Sequence, residues 1–327
     1  MHLERTNKTV NCLTDSSRLA HKVNIRSCAA CSLISPFLGL LTGGLANPLP
    51  IRSGKHFPLT RGRIVLYENT LELLRDELSR MAAKPRAVYF SPSSDLFQPA
   101  AEVLQLSHAI LQFLFSQRVG VAFLTKGVIP DYTLQLLLEH RELARAQIGL
   151  ITLDEGISRI FEPHAASPHR RLLQLQTLIA GGVQAEARLD PILPGVTDSP
   201  EMLDEHLASL ARVGVRRVAA GVLFLRPGIL YWLKSRLSDR RTVALLLPAY
   251  EGGQQTVMRG AQYPILNLST EARREIFDRL EHAATAHGIE IKICACKNAD
   301  LARGSCNIAG AWPRQSADVV QPLLVAV

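Results

Sequence analysis

The sequence predicts an α/β fold on a parallel sheet. Three observations carry this. Short apolar strands and amphipathic helices alternate from residue 64 onward, one unit about every thirty to forty residues. The polar residues of greatest interest each follow a strand. No G-x-G-x-x-G follows the first strand and no G-x4-G-K-[ST] occurs, which lowers dinucleotide and P-loop alternatives. Two architectures satisfy the pattern, a doubly wound open sheet and a (β/α) barrel. In both, ligands meet the carboxyl ends of the strands.

The elements follow in order. Asn69 is placed to cap a helix reaching about residue 83, with Leu71, Leu74 and Leu78 on one face. Residues 86–90 form a buried strand ending in the polar loop Ser91-Pro92-Ser93-Ser94-Asp95. A helix over about 99–117 leads to a strand at 119–124, closed by Thr125, Lys126 and Gly127, and to a helix over about 131–140. Residues 146–152 are a strand, 168–180 a helix ended by Gly181-Gly182, and 184–189 a strand leading to Asp190. A helix over about 200–212 and a strand over 215–225, followed by Arg226, continue the alternation. After a polar loop at 251–264, Ser269 or Thr270 caps a helix to about residue 287. A last strand at 289–293 runs straight into Cys294.

The chain has 327 residues, 47% hydrophobic and 20% charged, enough for a real core. Its net charge of +8 is concentrated at the N-terminus: residues 1–63 hold nine Lys and Arg against two acids. The rest is nearly neutral, so composition gives only a basic arm and no distributed nucleic-acid surface. Residues 27–51 lack charge and have the length of a membrane span, but Pro36, Pro48 and Pro50 with Gly39, Gly43 and Gly44 favour an apolar loop-and-turn region. A cytoplasmic protein without a membrane partner is expected.

Six cysteines fall in two terminal groups: Cys12, Cys28 and Cys31, then Cys294, Cys296 and Cys306. A chain of this size with clustered cysteines points to metal or redox chemistry before a disulfide scaffold. Thiolates suit zinc and iron–sulfur centres, and His282 or His287 could add a fourth ligand to the C-terminal trio.

Several blocks carry a family resemblance. YFSPSSDLFQP (89–99), VAFLTKG (121–127), FEPHAASPHRRL (161–172), ARLDPILPGVTD (187–198) and AAGVLFLRP (219–227) resemble successive blocks of the radical S-adenosylmethionine (radical SAM) proteins of the spore photoproduct lyase-like branch. CACKNADLARGSCNIAG (294–310) is similar to the C-terminal Cys segment of a subgroup. The resemblance covers residues 64–312, about three quarters of the chain.

It implies a partial (β/α)6 TIM-like barrel over 64–248, an irregular basic arm over 1–63 and a C-terminal Cys-containing extension over 249–327. It also implies a [4Fe-4S] cluster and S-adenosylmethionine as cofactors. Reductive cleavage of the sulfonium would yield a 5′-deoxyadenosyl radical, fed by an external electron donor such as a flavodoxin or ferredoxin. A DNA photoproduct is one implied substrate. On this resemblance Ser91, Ser93 and Lys126 contact S-adenosylmethionine, Lys126 through its carboxylate, and Arg188 lies further round the barrel mouth beside Asp190.

The cluster motif departs from the family. C-x3-C-x2-C is needed, and only Cys28-Ala29-Ala30-Cys31 fits its last two ligands; Asn24 stands at the first. Cys12 gives a C-x15-C-x2-C spacing instead. Three explanations remain open: a mistranslated or rearranged N-terminus, a catalytically degenerate barrel acting as a metal-binding or scaffold protein, or a cluster with unusual ligands.

Overall fold

A computed structural model describes residues 2–6, 13–15, 63–82, 84–90, 95–235, 237, 239–256, 265–293, 298–304 and 324–326. The strands are β1 (His2–Thr6), β2 (Leu13–Asp15), β3 (Arg63–Tyr67), β4 (Ala87–Phe90), β5 (Gly120–Thr125), β6 (Ala144–Gly149), β7 (Gln184–Ile192), β8 (Arg217–Val222), β9 (Gln254–Thr256), β10 (Ile265–Asn267), β11 (Glu290–Ile293) and β12 (Leu324–Ala326). The α-helices are α1 (Thr70–Arg80), α2 (Ala101–Ser116), α3 (Asp131–Glu139), α4 (Glu155–Phe161), α5 (Pro168–Ala180), α6 (Pro200–Arg212), α7 (Pro227–Ser235), α8 (Arg240–Leu246) and α9 (Thr270–Ala286).

The main sheet runs β11-β8-β7-β6-β5-β4-β12-β2. From β4 to β11 every pairing is parallel, and each strand lies beside its predecessor in this series. A doubly wound sheet reverses its strand order at a switch point; this one does not. With right-handed crossovers, an order that always advances the same way puts every connecting helix on one face. Val88, Val121, Phe123, Ala146, Ile148, Ala187, Leu189, Val218 and Ile293 point to that face and join Leu111, Leu175, Leu207 and Phe277 in one core.

The other face carries the alternate residues, among them Arg145, Gln147, Glu186, Arg188 and Asp190, and these are also buried. A sheet buried on both faces with helices on only one fits a partial barrel. Among the described residues no hydrogen bonding joins β11 to β4; β4 pairs instead with β12.

Local chemistry sets the helix starts. Ser167, Ser199 and Ser269 each accept a backbone N–H from three residues on, and Pro168 and Pro200 occupy first turns. Asp154 and Asp239 do the same for the short helices α4 and α8. Asn69 precedes α1 as expected, but its side chain makes no capping bond.

Three expectations need correction. The strand expected at 146–152 lies at Ala144–Gly149, because the apolar run Ile148, Leu150, Ile151 continues past the last paired residue. The arm over 1–63 is not wholly irregular: β1 pairs in parallel with β3, and β2 pairs with β12. Strand β11, from the segment expected to form a C-terminal extension, lies in the main sheet beside β8. No helix among the described residues is long and apolar enough to cross a membrane; residues 27–51 lie outside them.

Candidate functional site

The loop after β4 and the end of β5 are joined through one carboxylate. Asp95 is buried and accepts hydrogen bonds from Phe97 N (2.8 Å), Thr125 Oγ1 (2.7 Å) and Lys126 N (2.8 Å). Burial raises its pKa, and the bonds from Lys126 N, Thr125 and Phe97 pull the other way. Thr125 Oγ1 accepts in turn from Gly127 N at 2.9 Å. A Cβ on Gly127 would stand 2.2 Å from the Phe97 carbonyl oxygen, so only glycine permits this approach of the two loops. Gln174 on α5 clasps the next turn, donating to Gly127 O and accepting from Ile129 N.

With its backbone held by Asp95, Lys126 runs along the end of β6. A Cβ on Gly149 would stand 2.9 Å from Lys126 Cγ and 3.2 Å from Cε, so the lysine stem lies in the space glycine leaves at the end of β6. Its Nζ reaches Glu162 Oε1 at 3.3 Å. Glu162 Oε2 accepts from Arg171 Nη1 at 2.5 Å, and Arg171 also donates to Gly149 O (2.8 Å) and Ser158 Oγ (2.9 Å). The Lys126, Glu162 and Arg171 side chains are 11%, 1% and 0% exposed, so this is a buried ion cluster and not a surface bridge. Burial lowers the Lys126 pKa; the Glu162 carboxylate opposes that shift and the Arg171 charge adds to it.

Arg188 stands on the inner face of β7, where Gly149 is its register partner on β6. Lys126 and Arg188 therefore flank the same row of the sheet. Arg188 donates to Asp190 Oδ2 through Nη2 (2.7 Å) and Nε (3.2 Å), and to Gln147 Oε1 at 3.4 Å. Gln147 donates to Glu186, whose Oε2 also accepts from Arg217 Nε at 2.5 Å. Burial raises the Glu186 pKa against these partners. Gly221 makes room here too: a Cβ there would lie 3.0 Å from Asp190 Oδ1. The inner face is thus a connected polar ladder ending at the carboxyl end of the strands.

Outside this ladder, a cleft of about 370 Å³ opens between the loop after β6 and α6, lined by residues that include Thr152, Asp154, Thr197, Glu205 and His206. His206 is buried, its Nε2 has no partner among the described residues, and burial together with the nearby Arg171 charge drives its pKa down to about 3.

Of the residues singled out in the sequence, Lys126 follows β5 and Arg188 lies on β7, with Gly149 of β6 between them. Ser91, Ser93 and all six cysteines, Cys12, Cys28, Cys31, Cys294, Cys296 and Cys306, lie outside the described residues. Among the described residues no three His, Cys, Asp or Glu side chains are grouped to hold a metal ion. His287, considered as a fourth ligand, meets Asp204 at 2.7 Å.

Sequence reasoning missed Glu162 and Arg171. A usable signal existed for Arg171: it shares the apolar stripe of Leu175 and Leu178 at i, i+4, i+7 on α5. A charge at a stripe position on a helix packed against a sheet must find a buried partner.

No family model matches the chain. An uncharacterized protein of Mycobacterium tuberculosis (strain H37Rv) is 27% identical over 172 residues, 52% of this chain and 51% of the relative. An uncharacterized protein of the Acidianus two-tailed virus is 27% identical over 160 residues, 48% of this chain and 52% of the relative. The chain spans about half the length of these curated relatives. Among solved structures, spore photoproduct lyase complexed with dinucleoside spore photoproduct superposes with a TM-score of 0.53 at 13% identity, over 72% of this chain and 70% of that one. A double mutant of that lyase with bound AdoMet and dinucleoside spore photoproduct gives 0.52 at 14%, over 71% and 68%. At these identities the likeness is one of architecture: this chain has the α/β fold of spore photoproduct lyase.

Proposed function

We propose that the chain is a radical SAM-type protein that binds S-adenosylmethionine at the carboxyl ends of β4–β7. The observation that carries this reading is the built position of Lys126. A parallel strand delivers it to the ligand face, Asp95 fixes its backbone, and Gly149 leaves the lane for its stem. Such a preorganised ammonium suits the carboxylate of an amino-acid-type ligand. The shared fold with a lyase solved with AdoMet supports the same choice of ligand.

When bound to a [4Fe-4S] cluster, S-adenosylmethionine supplies a 5′-deoxyadenosyl radical on reduction, the electron coming from a flavodoxin- or ferredoxin-type donor. The described residues contribute binding and orientation: Lys126 holds the carboxylate end, and Arg188 with Asp190 lines the wall beside it. Cys28 and Cys31 are the proposed cluster ligands, with Cys12 the third thiol nearest in sequence. Cys294, Cys296 and Cys306 are proposed as a second metal site. A nucleic-acid photoproduct is the substrate class to try first. A second reading, a barrel that binds without catalysing, draws on Asn24 standing where the motif requires cysteine.

Binding tests the first reading. Wild-type protein is expected to bind S-adenosylmethionine in equilibrium dialysis, and Lys126→Met to weaken it about thirtyfold or more, as losing a desolvated charge pair costs 2–5 kcal/mol. Equal affinity of the two would remove Lys126 from the site.

A further inference from the structure

Lys126 does not stand alone at the end of β5. Its ammonium is met by a carboxylate from a different layer of the fold. Glu162 follows α4, so its side chain comes from the helix side, while Lys126 comes from the end of β5. Glu162 is itself immobilised: Arg171 on α5 grips Oε2 at 2.5 Å, and spends two further hydrogen bonds on Gly149 O and Ser158 Oγ. The Gly149 carbonyl belongs to the same residue whose missing side chain gives the lysine its lane. Strand end, lane, tether and anchor form one device.

We infer that Glu162 is the positioning residue of this site: its carboxylate, anchored by Arg171, holds the Lys126 ammonium charged and aimed for a ligand carboxylate. The inference rests on the proposed S-adenosylmethionine reading for the ligand, but not for the coupling between the two side chains.

The groups facing Lys126 fix the sign of the effect. Asp95 faces it from the loop after β4, Glu162 from the chain after α4, and Arg171 from α5. Burial and Arg171 both favour the neutral amine. Of the two opposing carboxylates, Asp95 is weakened by its own burial, which favours its protonated form. Glu162 is the stronger remaining support. Without it the amine gives up its proton at lower pH, and a neutral amine attracts a carboxylate poorly.

The test reads Lys126 directly. Competitive acetylation followed by mass spectrometry gives the titration of one named lysine in the intact folded chain, with no ligand present. Glu162→Gln is expected to move that titration down by about one pH unit or more. Glu162→Asp, which keeps the charge but withdraws it, is expected to move it less and in the same direction. S-adenosylmethionine affinity at neutral pH should fall in the same order, about tenfold for Gln, and recover for Gln as the pH is lowered.

A merely structural role would lower thermal stability in both variants without ordering the titrations. An unchanged Lys126 titration in folded Glu162→Gln overturns the inference. If that variant does not fold, an unchanged titration in Glu162→Asp overturns it as well. A shifted titration in a protein whose wild type binds no S-adenosylmethionine upholds the coupling and defeats the ligand reading instead.

Discussion

Arg171→Met is expected to unfold at markedly lower urea concentration than the wild type, with stability reduced by about 3–5 kcal/mol. Arg171 is fully buried, and its guanidinium satisfies Glu162 Oε2, the Gly149 carbonyl and the Ser158 hydroxyl together. Methionine fills much of the volume but donates nothing. The cost lies less in the lost attraction than in what stays behind, a buried carboxylate and a buried carbonyl with fewer donors. A second, local effect is expected. Because Gly149 ends β6, loosening its carbonyl should free the β6 end first, so amide exchange should rise around Gly149 and Leu150 before the rest of the sheet. A stability change within about 1 kcal/mol would mean that the cluster contributes no more than an exposed ion pair does.

The second large effect is the pH dependence that His206 contributes, and its sign follows from the direction of its pKa shift. The folded protein keeps this imidazole neutral down to about pH 3, whereas the unfolded chain takes up a proton near the ordinary value of 6.5. The unfolded state therefore binds more protons throughout that interval. The stability associated with a neutral His206 is complete above pH 6.5 and is lost as the pH falls, by up to about 1.4 kcal/mol per pH unit. Unfolding of wild type and His206→Gln, followed from pH 7 to pH 4, isolates this contribution as the difference in slope. Parallel curves would show that His206 can be protonated without disturbing the fold.

Much of the fold was legible in the sequence because its period is strong. The helices over 168–180 and 200–212 are each announced by Ser-Pro, and both start at that proline. The short helices α4, α7 and α8 were not anticipated. Each spans seven to nine residues, two turns or so, and an apolar stripe needs more than that to stand out.

The site was legible in part for a related reason. Lys126 and Arg188 announce themselves as charges at or just beyond apolar strands, and both lie where parallel strands present ligands. Glu162 looks like an ordinary charge in the polar run FEPHAASPHRRL, and for Arg171 the only trace is its place on the stripe of Leu175 and Leu178; the fold buries both. The polar ladder on the inner face left a weaker trace, the alternation of Arg145 with Gln147 and of Glu186, Arg188 and Asp190 between small or apolar residues. The expected strands at 146–152 and 184–189 leave out Arg145 and Asp190, and period two alone does not say what lies on the far face.

Formation of 5′-deoxyadenosine tests the proposed chemistry at its first step. The full chain would be reconstituted anaerobically with iron and sulfide, then supplied with S-adenosylmethionine and a strong reductant, beside a control carrying Cys28→Ala and Cys31→Ala. The wild type is expected to yield 5′-deoxyadenosine and the control to yield none. No 5′-deoxyadenosine from a protein that holds iron would contradict the catalytic reading and leave a barrel that binds without cleaving.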